Sequence, residues 1–345
     1  MCKQFCVILL FFVFNQLFSQ KNVSVKIDKS IEAISIFYTL ATKDTLERKP
    51  TPSTYFKDFN NYFENYKNHK SINWYKNLNN WDGFDLSTIG LFLSNKYPFT
   101  VELPHGETYL KSSNMTTFLY NFNEFYKDCK VQNFIKTHKR EYSKIATFAK
   151  ESIIASEVLN DAKNFYNKLS TQKIIIFVDI LNNLGNNAIE IHSKTYIKKK
   201  IFKLAYLQSE NLIQTNNTDV QFVPLPNVVF HELSHLFVND FVPKYNKRLS
   251  IVKKMFLITS KNEMLDEKEW QNELEELLVR VCVSKILGKK YGAERELKEV
   301  EIQSKHFKYF KGLNEFFNNY TENRVKYKTI TDFYPEIIKF IENLK

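Results

Sequence analysis

Two histidines and a glutamate in a largely apolar stretch constrain the fold of this 345-residue chain most strongly. Residues 228–238 read VVFHELSHLFV, in which His231, Glu232 and His235 are the only titratable side chains. Apolar residues on both sides predict a buried helix, and burying polar groups is costly unless they have partners. The alternative is an exposed helix on which the three are ordinary polar residues, and the apolar flanks argue against it.

The spacing within this motif predicts a metal site. His231 and His235 are four residues apart, so both imidazoles project from one face of a helix and can share a tetrahedral ion. Glu232 is offset by one residue, which directs its carboxylate toward a metal-bound water rather than toward the metal. The motif therefore predicts one Zn²⁺ ion, with Glu232 as the general base.

The residues of the chain favour an open catalytic site over a structural zinc, and those around the motif exclude the metzincin subclass. A structural zinc usually has four protein ligands that include cysteine, and the cysteines of this chain lie far from the motif. The extended metzincin pattern requires glycine at 238 and histidine at 241, where this chain has Val238 and Phe241. The third ligand is then expected to be a glutamate on a later helix.

Residues 268–287 predict that later helix. They read KEWQNELEELLVRVCVSKIL, and the apolar stripe consists of Trp270, Leu274, Leu277 and Val281. Glu273, Glu275 and Glu276 are all available as ligands, and the spacing does not choose between them.

The first 19 residues have the layout of a secretory signal peptide. Lys3 precedes an unbroken apolar run at 6–14, and cleavage is expected after Ser19 so that Gln20 becomes the first residue. The alternative is a buried N-terminal helix. Because no later stretch approaches membrane-spanning length, we expect an exported mature chain without an integral membrane segment, in the periplasm, on the cell surface or secreted.

The two cysteines outside the signal peptide and the net charge indicate little about the function. Cys129 and Cys282 could pair after export, but Cys282 lies in an apolar helical stretch where a buried thiol is as plausible. The net charge is +11, and the longest basic run is only 198–200. Without a nucleic-acid-binding motif, the charge predicts no nucleic-acid partner and at most weak attraction to anionic surfaces.

Local patterns predict helices, then a small β region, then helices, which is a mainly helical α+β fold. An extended segment at 20–28 precedes a helix that begins with Ser30 as its cap, and 84–165 is mainly helical. Strands are expected at 174–178, 188–192, 196–207 and 220–223, and helices from 228 onward with breaks at Gly288, Gly292 and Gly312. We expect one domain at 20–345, with a helical part at about 29–167 and a catalytic part at about 170–345.

These patterns resemble the DUF4932 family of exported bacterial proteins. The resemblance rests on the signal peptide, on 31–34, on 84–86, on 231–235 and on the EELLVR element that ends at Arg280. It implies a zincin-like fold with a small sheet before the active-site helix and a gluzincin-type site. It also implies that Glu276 is the third ligand. The family usually has alanine after the arginine, where this chain has Val281.

Arg280 departs from thermolysin-like gluzincins, which commonly carry an aspartate four residues after the ligand glutamate. An arginine cannot accept a hydrogen bond from imidazole. Arg280 is therefore expected to hold Glu276, to meet a substrate carboxylate, or to form an ordinary ion pair along the helix. Another acceptor must orient the histidines, and Asp240 is the candidate by proximity in sequence.

Together these features predict a zinc-dependent hydrolase, a metallopeptidase whose partner is a peptide or protein substrate. The main alternative is a catalytically inactive secreted or envelope binding protein that retains the zincin fold. A smaller alternative is a zinc hydrolase that acts on bonds other than peptide bonds.

Overall fold

The computed structural model describes thirteen stretches of the chain. They are 23–42, 54–78, 87–94, 96–101, 115–167, 174–182, 185–191, 199–205, 212–214, 220–222, 224–257, 266 and 269–344. The predicted signal peptide at 1–19 lies outside the described residues, and so does the 84–86 element of the resemblance. Among the described residues, no helix has the length and apolarity needed to cross a membrane.

The described chain is mainly helical with a small β region, which confirms the predicted α+β class. The strands are β1 Val23–Lys26, β2 Ile174–Asp179, β3 Asn187–Ile191, β4 Lys199–Ala205, β5 Leu212–Gln214 and β6 Val220–Phe222. The helices before β2 are α1 Lys29–Thr42, α2 Thr54–Phe63, α3 Lys70–Lys76, α4 Met115–Asp128, α5 Val131–Thr137, α6 Lys139–Ala155 and α7 Val158–Tyr166. Those after β6 are α8 Pro226–Val238, α9 Phe241–Leu249, α10 Trp270–Tyr291, α11 Ala293–Gln303, α12 Phe310–Phe316, α13 Asn318–Glu322 and α14 Ile330–Glu342. Short 3-10 helices occupy Glu64–Tyr66, Ser87–Phe92 and Ser250–Phe256.

The described residues fall into two compact units. The first comprises those within Met1–Ala155 and Gln172–Leu225, and the second comprises those within Ser156–Thr171 and Pro226–Lys345. All six strands therefore belong to the first unit, whereas α7 joins the later helices in the second. The predicted single domain, with a helical part at about 29–167 and a catalytic part at about 170–345, stays a prediction.

The first unit contains a four-stranded sheet in the order β1-β2-β4-β3. β1 and β4 run parallel to β2, and β3 runs antiparallel to β4. All six residues of β2 are buried, as its β-branched sequence IIIFVD predicts for a central strand. The extended segment predicted at the start of the chain is β1, which pairs Val23 with Ile174 at one edge of the sheet. The separate hairpin of β5 and β6 contains one strand, β5, that the sequence patterns did not predict.

Helix α1 begins two residues earlier than a cap at Ser30 predicts, and its cap is a different residue. The Asp28 carboxylate accepts hydrogen bonds from the backbone amides of Ser30 (2.8 Å) and Ile31 (3.2 Å). Asp28 therefore satisfies two unpaired amides of the first turn, and Ser30 lies inside the helix. Eleven of its fourteen residues are buried, including Glu32, so α1 is enclosed on more than the single face predicted from its apolar spacing.

A buried polar cluster lies at the end of β2. The Asp179 carboxylate accepts hydrogen bonds from Ser35 (2.6 Å) and Ser87 (2.7 Å), and Lys203 of β4 lies 3.2 Å away. Asp179 and Lys203 are 0% and 1% exposed in their side chains, so this ion pair is fully desolvated. The cluster connects α1, β2, β4 and a 3-10 helix within the first unit.

Glycines of the second unit break helices less often than predicted. Gly292, at φ +96°, ends α10 as expected. Gly288 lies inside α10, where a Cβ would overlap the Glu296 side chain of α11, so this glycine permits close packing. Gly312 lies inside α12. Both predicted breaks are therefore wrong.

Both described cysteines, Cys129 and Cys282, are buried and free. Burial raises the pKa of each thiol to about 12, which leaves the unreactive protonated form at neutral pH.

Candidate metal centre

Helix α8 carries both histidines on one face. Their Nε2 atoms are 3.1 Å apart, and each side chain is 16% exposed. Buried apolar residues occupy the other faces of the helix: Val229, Phe230, Leu233, Phe237 and Val238. The apolar flanks therefore bury the helix and leave the two imidazoles at its partly accessible face, as the sequence predicted.

Helix α10 brings Glu276 to the histidines. One carboxylate oxygen lies 2.9 Å from Nε2 of His235, and the other lies 3.7 Å from Nε2 of His231. One donor atom from each of the three residues lies within 4.8 Å of the other two. The predicted stripe of α10, Trp270, Leu274, Leu277 and Val281, is buried and sets this orientation. Within the described part of the chain, this is the only group of three such donors that could hold a metal ion.

The structure distinguishes the three glutamates that the spacing left open. Glu276 belongs to the donor group, whereas Glu273 and Glu275 do not. Burial raises the pKa of Glu275 to about 7, with the nearby charge of His235 opposing the rise and that of Glu276 adding to it. Burial, followed by the charge of Glu276, also raises the pKa of Glu273. Glu275 is therefore partly protonated near neutral pH, where Glu276 is ionised.

The electrostatics favour the forms that bind metals. Burial, followed by the positive charge of Arg280, lowers the pKa of His231 to about 3, although the charge of Glu276 opposes the change. Burial alone would raise the pKa of Glu276, but the hydrogen bond with His235 and the surrounding positive charges hold it at about 2. A neutral imidazole and an ionised carboxylate are the ligating forms of these residues.

The pKa of His235 is raised, whereas that of His231 is lowered. Burial lowers the pKa of His235, but the hydrogen bond and the charge of Glu276 outweigh burial, and the net pKa is raised. The proton on His235 is therefore the one that a bound cation would displace.

Glu232 is buried at 3% exposure, one residue from His231. Its charge contributes to the raised pKa of His235, so its carboxylate lies within electrostatic reach of the donor group. It is not itself a member of that group. The role of Glu232 as a general base stays a prediction.

The residue that orients His235 is Asn239, which the sequence patterns did not identify. Its Oδ1 lies 3.0 Å from Nδ1 of His235, so Nδ1 carries the hydrogen and Nε2 is left for a metal. The expected partner Asp240 accepts a hydrogen bond from Tyr334 instead, at 2.8 Å. The Nδ1 atom of His231 is buried and has no hydrogen-bond partner among the described residues.

Arg280 forms a loose ion pair with Glu276. Its Nε lies 3.5 Å from an oxygen of Glu276, and this Nε makes no hydrogen bond to any described residue. The Arg280 side chain is 38% exposed. Arg280 thus interacts with Glu276 through charge rather than through a directed hydrogen bond. Its guanidinium group remains accessible to solvent.

A buried tyrosine supports the motif helix from α7. The Tyr166 hydroxyl donates to Ser234 (2.7 Å), and Ser234 donates to the carbonyl of Phe230 (2.6 Å). The Tyr166 ring also stacks on Phe237 at 4.6 Å between centroids. Sequence reasoning missed Tyr166 because it precedes the motif by more than sixty residues and belongs to no recognisable pattern.

Comparisons with known proteins support the family but no activity. No curated protein and no solved structure matches the chain. A family model described as a domain of unknown function, DUF4932, matches residues 23–340, which is nearly the whole chain. The predicted resemblance is therefore confirmed, and the chain belongs to the DUF4932 family.

Proposed function

We propose that this chain is a zinc-dependent hydrolase with a zincin-like fold, and specifically a metallopeptidase of the gluzincin type. The observation that carries the proposal is the convergence of His231, His235 and Glu276 from two helices onto one point. In a zincin, a small sheet precedes the active-site helix, and the order of β2–β6 and α8 along this chain agrees with that arrangement.

The donor group fits a zinc ion by distance. Zinc–nitrogen and zinc–oxygen bonds of about 2.0–2.1 Å at tetrahedral angles place neighbouring ligand atoms about 3.3 Å apart. The Nε2 atoms of the two histidines are 3.1 Å apart, and different oxygens of Glu276 lie 2.9 Å from Nε2 of His235 and 3.7 Å from Nε2 of His231, on both sides of that value. Two imidazoles and a carboxylate are also the ligand set of one class of catalytic zinc site, in which the fourth position stays open.

When bound, zinc would supply a Lewis acid that activates water and polarises a carbonyl group. Glu232 would take a proton from the attacking water and deliver it to the nitrogen of the leaving amine as the carbon–nitrogen bond breaks. Asn239 would hold the His235 ring in its ligating tautomer, and Arg280 would keep Glu276 ionised. We also propose export of the mature chain, because the apolar run at 6–14 has the layout of a signal peptide.

Replacing the general base tests this proposal. Glu232→Gln keeps the size of the side chain but cannot accept the proton, so we expect zinc binding to persist while peptide cleavage falls by at least about 100-fold. Cleavage of a random peptide library, read by mass spectrometry with and without a chelator, measures the effect. If the chain is an inactive binding protein, the wild-type protein will cleave no peptide. If it is a hydrolase for other bonds, the wild-type protein will cleave ester or non-peptide amide substrates but no peptide.

A further inference from the structure

Arg280 lies at the edge of the candidate metal centre. Oε2 of Glu276 is 3.5 Å from Nε of Arg280 and 3.7 Å from Nε2 of His231, so the guanidinium and the imidazole flank one carboxylate oxygen. All three side chains belong to α8 and α10, which are both part of the second unit. The guanidinium is therefore within reach of a ligand that is held at the histidines.

Arg280 also stands on the accessible part of α10. Between Glu276 and Leu287, Glu276 and Arg280 are the only residues that are not buried. Their side chains are 33% and 38% exposed. Over this stretch of α10, a ligand can therefore reach the helix at these two side chains.

The hydrogen-bonding capacity of Arg280 is unused within the described part of the chain. A guanidinium carries five N–H donors in a planar fork. Nε is buried without an acceptor, and the only polar contact of Arg280 with a described residue is the loose ion pair with Glu276. Arg248 of the same unit shows the alternative, because it directs two donors to Glu342 at 2.8 and 2.6 Å.

The acids of α10 leave this capacity open. Glu276 is the acid that contacts Arg280, but its other oxygen lies 2.9 Å from His235, and a bound cation would use the same carboxylate. Glu275 is five positions before Arg280, about 140° around the helix, and Glu273 is two turns, about 10 Å, before it. The guanidinium is therefore available to an anionic ligand.

A carboxylate is the peptide group that matches a guanidinium, since its two oxygens accept two parallel N–H bonds. A peptide carries carboxylates at its C-terminus and in aspartate and glutamate side chains. An extended peptide advances about 3.3 Å per residue, which is close to each of the two distances that join Arg280 and His231 through Glu276. The matching carboxylate would thus belong to one of the two residues beside a bond held at the histidines.

From these observations we propose that Arg280 binds a carboxylate of the substrate, within two residues of the cleaved bond, and thereby makes the site selective for peptides that carry one there. That the carboxylate belongs to a substrate rests on the function proposed above. The contact itself involves only the side chain of Arg280.

Peptide binding to Glu232→Gln protein, both metal-free and zinc-loaded, tests this selectivity without cleavage. The probes are fluorescein-labelled alanine hexapeptides in two pairs, read by fluorescence anisotropy. One pair has a free or an amidated C-terminus, and the other is amidated and has glutamate or glutamine at the centre. We expect the carboxylate member of at least one pair to bind about five- to tenfold more tightly than its partner. The pair that shows the difference identifies the source of the carboxylate.

Substitutions of Arg280 assign the preference to its guanidinium. Adding Arg280→Gln should reduce the ratio within the pair to about one, whereas Arg280→Lys should retain about a twofold preference, because it keeps the charge and loses the fork. The matched control is Lys289→Gln, which removes one positive charge from an exposed position nine residues further along α10 and should leave the ratio unchanged.

Zinc affinity measured for the same proteins separates this role from support of Glu276. If Arg280 acts only through Glu276, then Arg280→Gln will weaken zinc binding and will weaken all four probes by the same factor. That result would overturn the proposal. So would equal binding within both pairs, or a preference that survives Arg280→Gln or disappears in Lys289→Gln.

The proposed function can fail independently. If the preference depends on Arg280 but zinc-loaded wild-type protein cleaves no peptide, carboxylate binding stands and the peptidase function fails. If wild-type protein cleaves peptides without regard to carboxylates, the function stands and the role of Arg280 fails.

Discussion

Two glutamates that are close to the same histidines have different environments and, in our account, different roles. Glu276 is ionised, with a pKa of about 2, and contacts both imidazoles through its two oxygens. Glu232 is buried beside His231 and outside the donor group. The first therefore suits a permanent ligand, and the second suits a group that exchanges protons with water.

Asn239 and Asp240 provide a matched pair for testing how His235 is oriented. Asn239→Ala removes the acceptor for Nδ1 of His235, and we expect zinc affinity to fall by about 10–100-fold. Asp240→Ala removes a partner of Tyr334 and should leave zinc affinity unchanged. Competition with a chromophoric chelator measures both affinities. A larger loss for Asp240→Ala would contradict the assignment.

Glu32 should make the first unit less stable as pH rises. Burial raises its pKa to about 8 from the ordinary 4.5, although the hydrogen bond from Tyr55 opposes the rise. The folded protein thus holds a proton that the unfolded chain releases, so stability from this group is complete below pH 4.5 and is lost as pH increases to about 8.

Glu32→Gln should remove this pH dependence, because the amide stays neutral and nearly isosteric. At about 1.4 kcal/mol per pKa unit, wild type should lose on the order of 4 kcal/mol relative to the variant between pH 4 and 8.5. Urea unfolding at several pH values measures the difference. Parallel pH profiles of the two proteins would show that Glu32 is ionised in the fold.

At the scale of single residues, spacing predicted that His231 and His235 share one helix face better than it predicted the hydrogen-bond partners of these histidines. The interval between His231 and His235 is dictated by the helical repeat, so one face was the expected result. Whether Asn239 or Asp240 contacts His235 depends on the directions of two adjacent side chains. Asp240 points away because it accepts a hydrogen bond from Tyr334, a residue ninety-four positions away. Spacing also left Glu276 undistinguished from its neighbours, and only the family resemblance selected it.

At the scale of elements, the ion pair between β2 and β4 should determine the stability of the sheet. Lys203→Met leaves the Asp179 carboxylate buried without its cation, and we expect the unfolding free energy to fall by about 3–5 kcal/mol. The double variant with Asp179→Leu should recover part of the loss, since it leaves no buried charge. Chemical denaturation measures all three proteins, and a fully tolerated Lys203→Met would contradict the prediction.

Elements with strong local signals were predicted from the sequence, and those that depend on packing were not. β2 was evident from its β-branched run, and α10 from its apolar stripe. Gly288 was expected to break α10, yet it lies inside the helix because α11 packs against it. Asp28 replaced Ser30 as the cap of α1, since its carboxylate reaches two amides at once.

At the scale of the whole molecule, the mainly helical α+β class followed from local patterns along the chain, whereas the arrangement of the sheet did not. β1 begins at residue 23 and pairs with β2 at residue 174. A pairing over such a separation leaves no local pattern, so the segment could be predicted as extended but not as an edge strand. The two units likewise follow contacts between distant segments, as the grouping of α7 with α8–α14 shows.

The most direct test of the central claim is the zinc content of purified mature protein after excess metal has been removed. Our account predicts one zinc ion per chain, retained in Glu275→Gln and lost in Glu276→Gln, because Glu276 belongs to the donor group with the two imidazoles and Glu275 does not. Elemental analysis by mass spectrometry gives the stoichiometry. A wild-type protein without stoichiometric transition metal, or equal zinc in both variants, would contradict it.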